Sequence, residues 1–506
     1  MTIDFLTLSL IILASIMWAY FRAPQSNSSH RKSSKLPPGP FPLPIIGNIL
    51  QLGQNPHQSF AKLSKTYGPL MHLKLGSMHT VVVSSPEMAK ELIQKHDLAI
   101  SSRAVPEAAR ALDHHTASLA WLPVGSQWRI FRKICNENMF SNKQLEASQI
   151  LRRAKLQQLR DYVQECCTSD RVVSIGEIAF VTSINLISCT LFSMDFAQFG
   201  TDSSQEMKEA VQGLMKITGT PNLADYFPML KLIDPQGIKR ESEVHVAKIL
   251  AIFDEIVSQR LQSRCVHSPK KDDMLEALLD LNQENDSNFS LHDIKHLLLD
   301  LFVAGTDTVV DSVEWAMTEL MRNPEKMLKA KNELSTIIGM NKQVEESDIS
   351  RLSYLHSVVK ETFRCHPPGP FLVPHRANDD IEINGYTIPK NAQILVNVWA
   401  IGKDSRIWSN ANSFEPERFL DSKINYRGQD FELITFGSGR RICPGLPLAH
   451  RMVHLMLAYL VHNFNWKLET GVKPEELDMN EKFGLSLHKA VPLKAIPTKV
   501  NAEMPF

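Results

Sequence analysis

Phe436-Gly437-Ser438-Gly439-Arg440-Arg441-Ile442-Cys443-Pro444-Gly445 constrains this chain more than any other stretch. It sets one cysteine in a glycine-rich turn, with Arg441 two residues before it and Phe436 seven before. Residues 446–461 follow, mostly apolar and free of glycine, so a helix is expected to start just beyond the turn. Backbone N–H groups in such a turn can point at a sulfur and stabilise the thiolate, the form that ligates metals. The glycines let backbone approach a large flat ligand with no Cβ between them. A lone cysteine is more often a plain buried thiol. Here five fixed positions, F-x-x-G-x-R-x-C-x-G, are met together, which sets Cys443 apart.

The other six cysteines form no C-x-x-C pair and read as reduced thiols, without a disulfide framework. A chain of 506 residues, 43% hydrophobic, suits one large globular unit or two to three small ones. Its formal net charge is zero, which gives no general pull on nucleic acid. Residues 5–21 are uncharged and mostly apolar, and as a helix would reach roughly 26 Å. Only Asp4 precedes that run as a charge, whereas Arg22, Arg31, Lys32 and Lys35 follow it. This favours an uncleaved anchor over a signal peptide, with everything downstream in the cytosol. The Pro-rich residues 37–44 then make a stiff, extended segment.

Residues 70–85 read as two strands joined near Gly76-Ser77, and Ser85-Pro86 as the start of a helix. Further strand signals come only at 381–388 and 393–398, and the middle of the chain is helical in period. Residues 263–273 and 282–288 read as polar surface loops. Trp128 and Arg132 are four apart, on one face of a helix. Ser290-Leu291-His292-Asp293 resembles a capping box opening a helix of about 30 residues, roughly 45 Å long, that Asn323-Pro324 stops. Its centre, Ala304-Gly305-Thr306-Asp307-Thr308, opposes helix propensity, as functional sites do. A glycine kink beside a capped polar pair is the plainer reading. Glu361 and Arg364 form a same-face helical pair, and Pro416-Glu417-Arg418-Phe419 follows some fifty residues on.

In this order, the stretches resemble the cytochrome P450 family over almost the whole chain. The resemblance implies a mainly α fold with a small β part: a triangular helical prism around a buried haem, plus an N-terminal membrane anchor helix. It implies an anchor at 1–22, a basic and Pro-rich hinge at 23–45 and a catalytic domain at 46–506. Cys443 would be the axial ligand of haem b, within a turn that includes Phe436 and Gly439. Arg441, Trp128, Arg132 and His375 would meet the haem propionates, and Ala304 and Gly305 would line the oxygen pocket. Asp307 and Thr308 would be catalytic, delivering protons to oxygen, while Glu361, Arg364 and Arg418 would form a structural core triad. Leu122, Ala304, Phe371, Leu372 and Leu485 would face an apolar substrate.

No flavin fingerprint is present, since two arginines follow Gly437-Ser438-Gly439. NADPH would therefore act through a separate NADPH–cytochrome P450 reductase, with Lys133, Arg440 and Arg451 as candidate docking charges. The setting would be the cytosolic face of the endoplasmic reticulum membrane, with O2, lipid and a small molecule as partners and no nucleic acid. Residues 61–65, 83–91, 234–238 and 481–487 resemble the plant terpenoid hydroxylases related to geraniol 8-hydroxylase. Cousins with these stretches act on abietane diterpenes, or on tyrosine in betalain formation. A haem-thiolate electron carrier or sensor, or a hydroperoxide-rearranging relative, stands as the alternative. The Asp307-Thr308 pair argues against both.

Overall fold

The computed structural model describes residues 35–266, 269–284, 289–340 and 342–500. The apolar run at 5–21 lies outside the described residues. The Pro-rich stretch is clamped to the body: His72 donates its backbone N–H to Pro38 at 2.9 Å, and Asn48 donates to Pro40 at 3.2 Å. The expected boundary at 46 thus falls inside packed structure. Strands β1 (Leu70–Leu75) and β2 (Met78–Val83) pair antiparallel across Gly76, whose φ of 59° is left-handed. Short strands β3 (Ser102–Arg103) and β4 (His375–Arg376) come next. The hairpin of β5 (Ile381–Ile383) and β6 (Tyr386–Ile388) turns at Asn384-Gly385, both with positive φ. Strand β7 (Gln393–Val396) runs parallel to β2 and closes a five-stranded sheet in the order β1-β2-β7-β4-β3. This sheet brings Arg103 beside His375, residues 272 positions apart (375 − 103).

The rest is mainly helical. Helices α1 (Ser126–Cys135), α2 (Ile175–Phe192), α3 (Ile238–Cys265), α4 (Leu291–Arg322), α5 (Ser353–Cys365) and α6 (Leu446–Asn463) carry the site and its support. Among the described residues only α2 is long and apolar enough to cross a membrane, yet 83% of it is buried inside the fold. It is a core helix, covered by α4. The two approach closely because each offers a glycine. A Cβ on Gly305 would lie 2.9 Å from Ile187, and one on Gly176 would lie 2.7 Å from Glu314. Gly305 therefore serves close packing, and α4 runs on through it without a break in helical assignment.

α4 starts at the expected capping box, with Ser290 and Asp293 bonding reciprocally, and ends at Asn323 before Pro324. The loop expected at 263–273 is a loop only in part, and of the one expected at 282–288 residues 282–284 end a helix (Met274–Glu284) while 285–288 lie outside the described residues. Residues 263–265 complete α3, and Asp273 is a buried acid bonded to Arg260 at 2.8 Å. Burial favours helix and ion pair there, because Arg260 also needs Glu276 at 2.9 Å to satisfy its charge.

Glu361 and Arg364 on α5 are fully buried and bond twice, both at 2.7 Å. Arg418 reaches Glu361 at 3.1 Å, and Arg364 also donates to the carbonyls of Gly402, Ala411 and Ser413. The triad thus ties α5 to the loops that lead to the Cys443 turn. Removing one partner leaves buried charge without compensation, at about 3–5 kcal/mol. Glu361→Ala is expected to lose about that much stability, read as a fall in the denaturant midpoint of the haem-loaded protein.

Candidate active site

Between α4, the Cys443 turn and the sheet lies a cavity of about 360 Å³, lined mainly by apolar side chains. Cys443 forms part of its wall, and Ala304, Gly305 and Thr308 of α4 form another part. The turn is fixed by the Cys443 N–H donating to the Phe436 carbonyl at 2.9 Å. Gly437 and Gly439 take φ of 72° and 64°, which L side chains rarely adopt. Cys443 is exposed, but to this interior space and not to the outside. Burial pushes its thiol up, while backbone at Gly445 and Leu446 and the charge of Arg132 pull it back towards thiolate. α6 begins at Leu446, so the free N–H groups of a helix N-terminus flank the sulfur.

The cavity also gathers three arginines. Arg441 bonds to the carbonyls of Ser101, at 2.9 Å, Leu119 and Leu122, and lies over the Trp128 ring at 4.8 Å. Arg103 donates to the Val373 carbonyl at 2.5 Å, and its buried Nε has no partner. The Arg132 guanidinium has no hydrogen bond or ion pair among the described residues. Burial, then repulsion from Arg132, holds Arg441 down to about 10. Burial, then Arg441, holds Arg103 well below its usual range. His375 bonds Ile100 through Nδ1 at 2.8 Å and is kept neutral by burial and by Arg103. Such a cluster is incomplete without anions. Two carboxylates on a flat ligand that also meets Cys443 would complete it, which is the donor set a haem requires.

On its other side α4 is polar. Asp307 is fully buried and does not line the cavity. Its Oδ2 accepts from Ser486 at 2.5 Å, and its Oδ1 has no hydrogen-bond partner among the described residues. Ser486 contacts His488 Nε2 at 3.0 Å, and His488 Nδ1 contacts Asp311 at 2.7 Å. Ser486 and His488 lie on or beside the hairpin of β8 (Glu481–Lys482) and β9 (His488–Lys489). Burial pushes Asp311 up to about 7. Burial opposes charge on His488, yet Asp311 and Asp307 together raise it to about 10. Thr308 lines the cavity and donates its hydroxyl to the Ala304 carbonyl at 2.8 Å.

Phe436, Leu372 and Leu485 line the cavity as expected residues, whereas Gly439 shapes the turn from outside it. Leu122 is a correction: its side chain is buried off the cavity, and its carbonyl receives Arg441. Phe371 is another, since it lines a neighbouring space of about 250 Å³ that shares Leu372 and Leu485 with the first. The Trp128 N–H is already used by the Leu119 carbonyl at 3.2 Å, so its ring supports Arg441 instead. Of the candidate docking charges, Lys133 is exposed, Arg440 pairs with Asp97 at 2.9 Å, and Arg451 is tied to Glu346 at 2.8 Å. Sequence reasoning missed Arg103, Ser486, His488 and Asp311. For the first the sequence offers no local signal, since Arg103 follows two serines in a mixed stretch.

This fold and this cavity are those of a haem-thiolate oxygenase. The family model described as Cytochrome P450 matches residues 37–493, and the chain belongs to that family of monooxygenases. It is 55% identical to Cytochrome P450 76T24 of Catharanthus roseus, over 97% of this chain and 98% of the relative. It is 53% identical to ferruginol synthase of Salvia miltiorrhiza, over 93% and 95% of the two chains. Geraniol 8-hydroxylase of Swertia mussotii is 50% identical over 98% of this chain and 100% of its own.

The cation cluster carries a prediction of its own. A hydrogen bond to a charged group contributes about 1.5–3 kcal/mol, or roughly 10–100-fold in retention. Arg103→Met is expected to release haem about that much faster to apomyoglobin, with the fold retained by circular dichroism.

Proposed function

We propose that this P450 hydroxylates a small apolar terpenoid, a monoterpenol or an abietane-type diterpene. It would use O2 and electrons from NADPH passed by a separate reductase, at the cytosolic face of the endoplasmic reticulum membrane. The observation that carries this reading is the Thr308 hydroxyl in the same apolar cavity as the Cys443 sulfur. The relatives named as a geraniol hydroxylase and a ferruginol synthase support the substrate class. The walls support it too. Asp300 is the one carboxylate lining the cavity among the described residues, and it is taken by His114 at 3.1 Å and Ser118 at 2.8 Å. That pair suits one hydroxyl on an apolar body. Tyrosine, the alternative substrate, would bring a carboxylate for which no cation remains once the three arginines hold haem.

Cys443 would hold the iron, and Arg103, Arg132 and Arg441 would hold the haem carboxylates. Bound in this way, haem supplies the activation of O2. The chain supplies the rest. The apolar walls bind the substrate and exclude water. Thr308 can leave the Ala304 carbonyl and hold a proton at Oγ1 on the cavity side. Behind the helix, Asp307, Ser486, His488 and Asp311 form a continuous line of groups that can hold a proton between them.

Cys443→Ser is expected to abolish the reduced carbon monoxide absorption band typical of thiolate-bound haem, together with product formation. Survival of the band would remove Cys443 from the role of ligand. Turnover of geraniol and of an abietane triene, followed by mass spectrometry with NADPH and a plant reductase, tests the substrate class.

The proton line gives a separate prediction. General acid help is typically worth about 10²–10⁴-fold. Thr308→Ala and Asp307→Asn should leave NADPH consumption near normal while product per NADPH falls steeply and peroxide rises. An unchanged ratio in both variants would assign the pair to helix packing alone.

A further inference from the structure

Behind the Cys443 turn, three histidines meet. His450 and His454 stand at i and i+4 on one face of α6, and His356 faces them from α5. Ring centroids lie 4.4 Å apart for His450–His454 and for His356–His454. One ring nitrogen from each lies within 4.8 Å of the other two. Two histidines at i and i+4 on a helix are a metal-chelating arrangement, and a third imidazole from a neighbouring element completes a three-nitrogen face.

The second nitrogens are already in use. His454 Nδ1 bonds the His450 carbonyl at 2.6 Å. His450 Nδ1 contacts the Tyr426 hydroxyl at 2.6 Å. The third imidazole, His356, bonds backbone at Ile349. Metal-ligating histidines are oriented in this way, one nitrogen on an oxygen and the other on the ion. The decisive atom is His454 Nε2. It is fully buried and has no hydrogen-bond partner among the described residues, a state that costs free energy unless something binds it. Packed core histidines account for the ring contacts, and a metal ion would in addition occupy that open nitrogen.

We propose that His356, His450 and His454 bind a borderline divalent transition metal, with Zn²⁺ as the fitting ion. Three atoms within 4.8 Å of one another have a common point at most about 2.8 Å from each, and Zn–N bonds are about 2.0–2.1 Å. Each imidazole then moves by less than about 1 Å. Burial, together with their neighbours, holds all three neutral, which is the ligating form. Lys360, Arg427 and Arg451 also act on the cluster and oppose a further cation, which weakens the site. The ion ties α5 to α6. It also reaches the haem turn, since Tyr426 packs on Phe436 with centroids 5.4 Å apart.

The test uses the haem-loaded protein in chelator-buffered Zn²⁺, with bound zinc measured by equilibrium dialysis and mass spectrometry. Wild type should take up one equivalent in the micromolar range, with a rise in the thermal midpoint. His356→Gln and His450→Gln should each weaken uptake by at least about tenfold and remove that rise. His79→Gln, in the separate His72–His79 pair, should leave both unchanged. An intact haem spectrum in each variant keeps the comparison valid. No saturable uptake below about 100 µM in wild type would overturn the proposal, because that is far weaker than three neutral imidazoles should be. Unchanged uptake in both His356→Gln and His450→Gln would overturn it as well.

Discussion

Three guanidiniums gathered around one buried space, with no carboxylate among the described residues paired to any of them, is the constraint on which the rest of this structure depends. Like charges a few ångströms apart repel by several kcal/mol at protein dielectric, about 4 kcal/mol at 4 Å. The fold holds them with neutral dipoles. Carbonyls of Ser101, Leu119, Leu122 and Val373 accept from Arg441 and Arg103, and the Trp128 ring lies under Arg441. Those carbonyls come from the segments around β3, before α1 and before β4. The small sheet therefore has a task beyond its size: it fixes where the cations sit relative to Cys443. A protein assembled in this way is completed by a dianion, and binding that dianion stabilises the fold by mass action.

α4 is the second organising element, because it separates two kinds of chemistry. Its cavity side carries Ala304, Gly305 and Thr308, and its back carries Asp307 and Asp311. Successive residues on a helix point about 100° apart, so neighbours in sequence can face different solvents. One part of the helix packs closely on α2 through Gly305, and the tail hairpin closes over the acids with Ser486 and His488.

Much of this was legible in the sequence where a local rule applied. The capping box at Ser290, the turn at Gly76 and the helix after Cys443 each follow from chemistry within a few residues. What stayed hidden depends on distant partners. Arg103 is one polar residue in an unremarkable stretch until β4 places it beside His375. His488 looks like a surface residue near the terminus until it meets Asp311, 177 positions earlier. Asp273 read as loop because its charge suggested water, and Arg260 supplied the missing half of the argument. Gly305 shows the converse: the sequence singles out the position, but only the partner, Ile187, shows that a Cβ there would meet a neighbouring helix.

The position of the acids follows from the cations. A free carboxylate inside the cavity would pair with Arg103, Arg132 or Arg441 and compete with the carboxylates of haem for the same donors. The chain avoids that competition. Asp300, the carboxylate that does line the cavity, is already bonded by His114 and Ser118. Asp307 is turned behind α4, where Ser486 engages one oxygen and the other is left without a hydrogen-bond partner among the described residues. A buried acid can therefore stand one residue from Thr308 without neutralising the arginines that line the cavity. Moving the acid into the cavity would shorten the proton route and weaken the haem site together, so the turn of the helix between residues 307 and 308 lets both requirements be met.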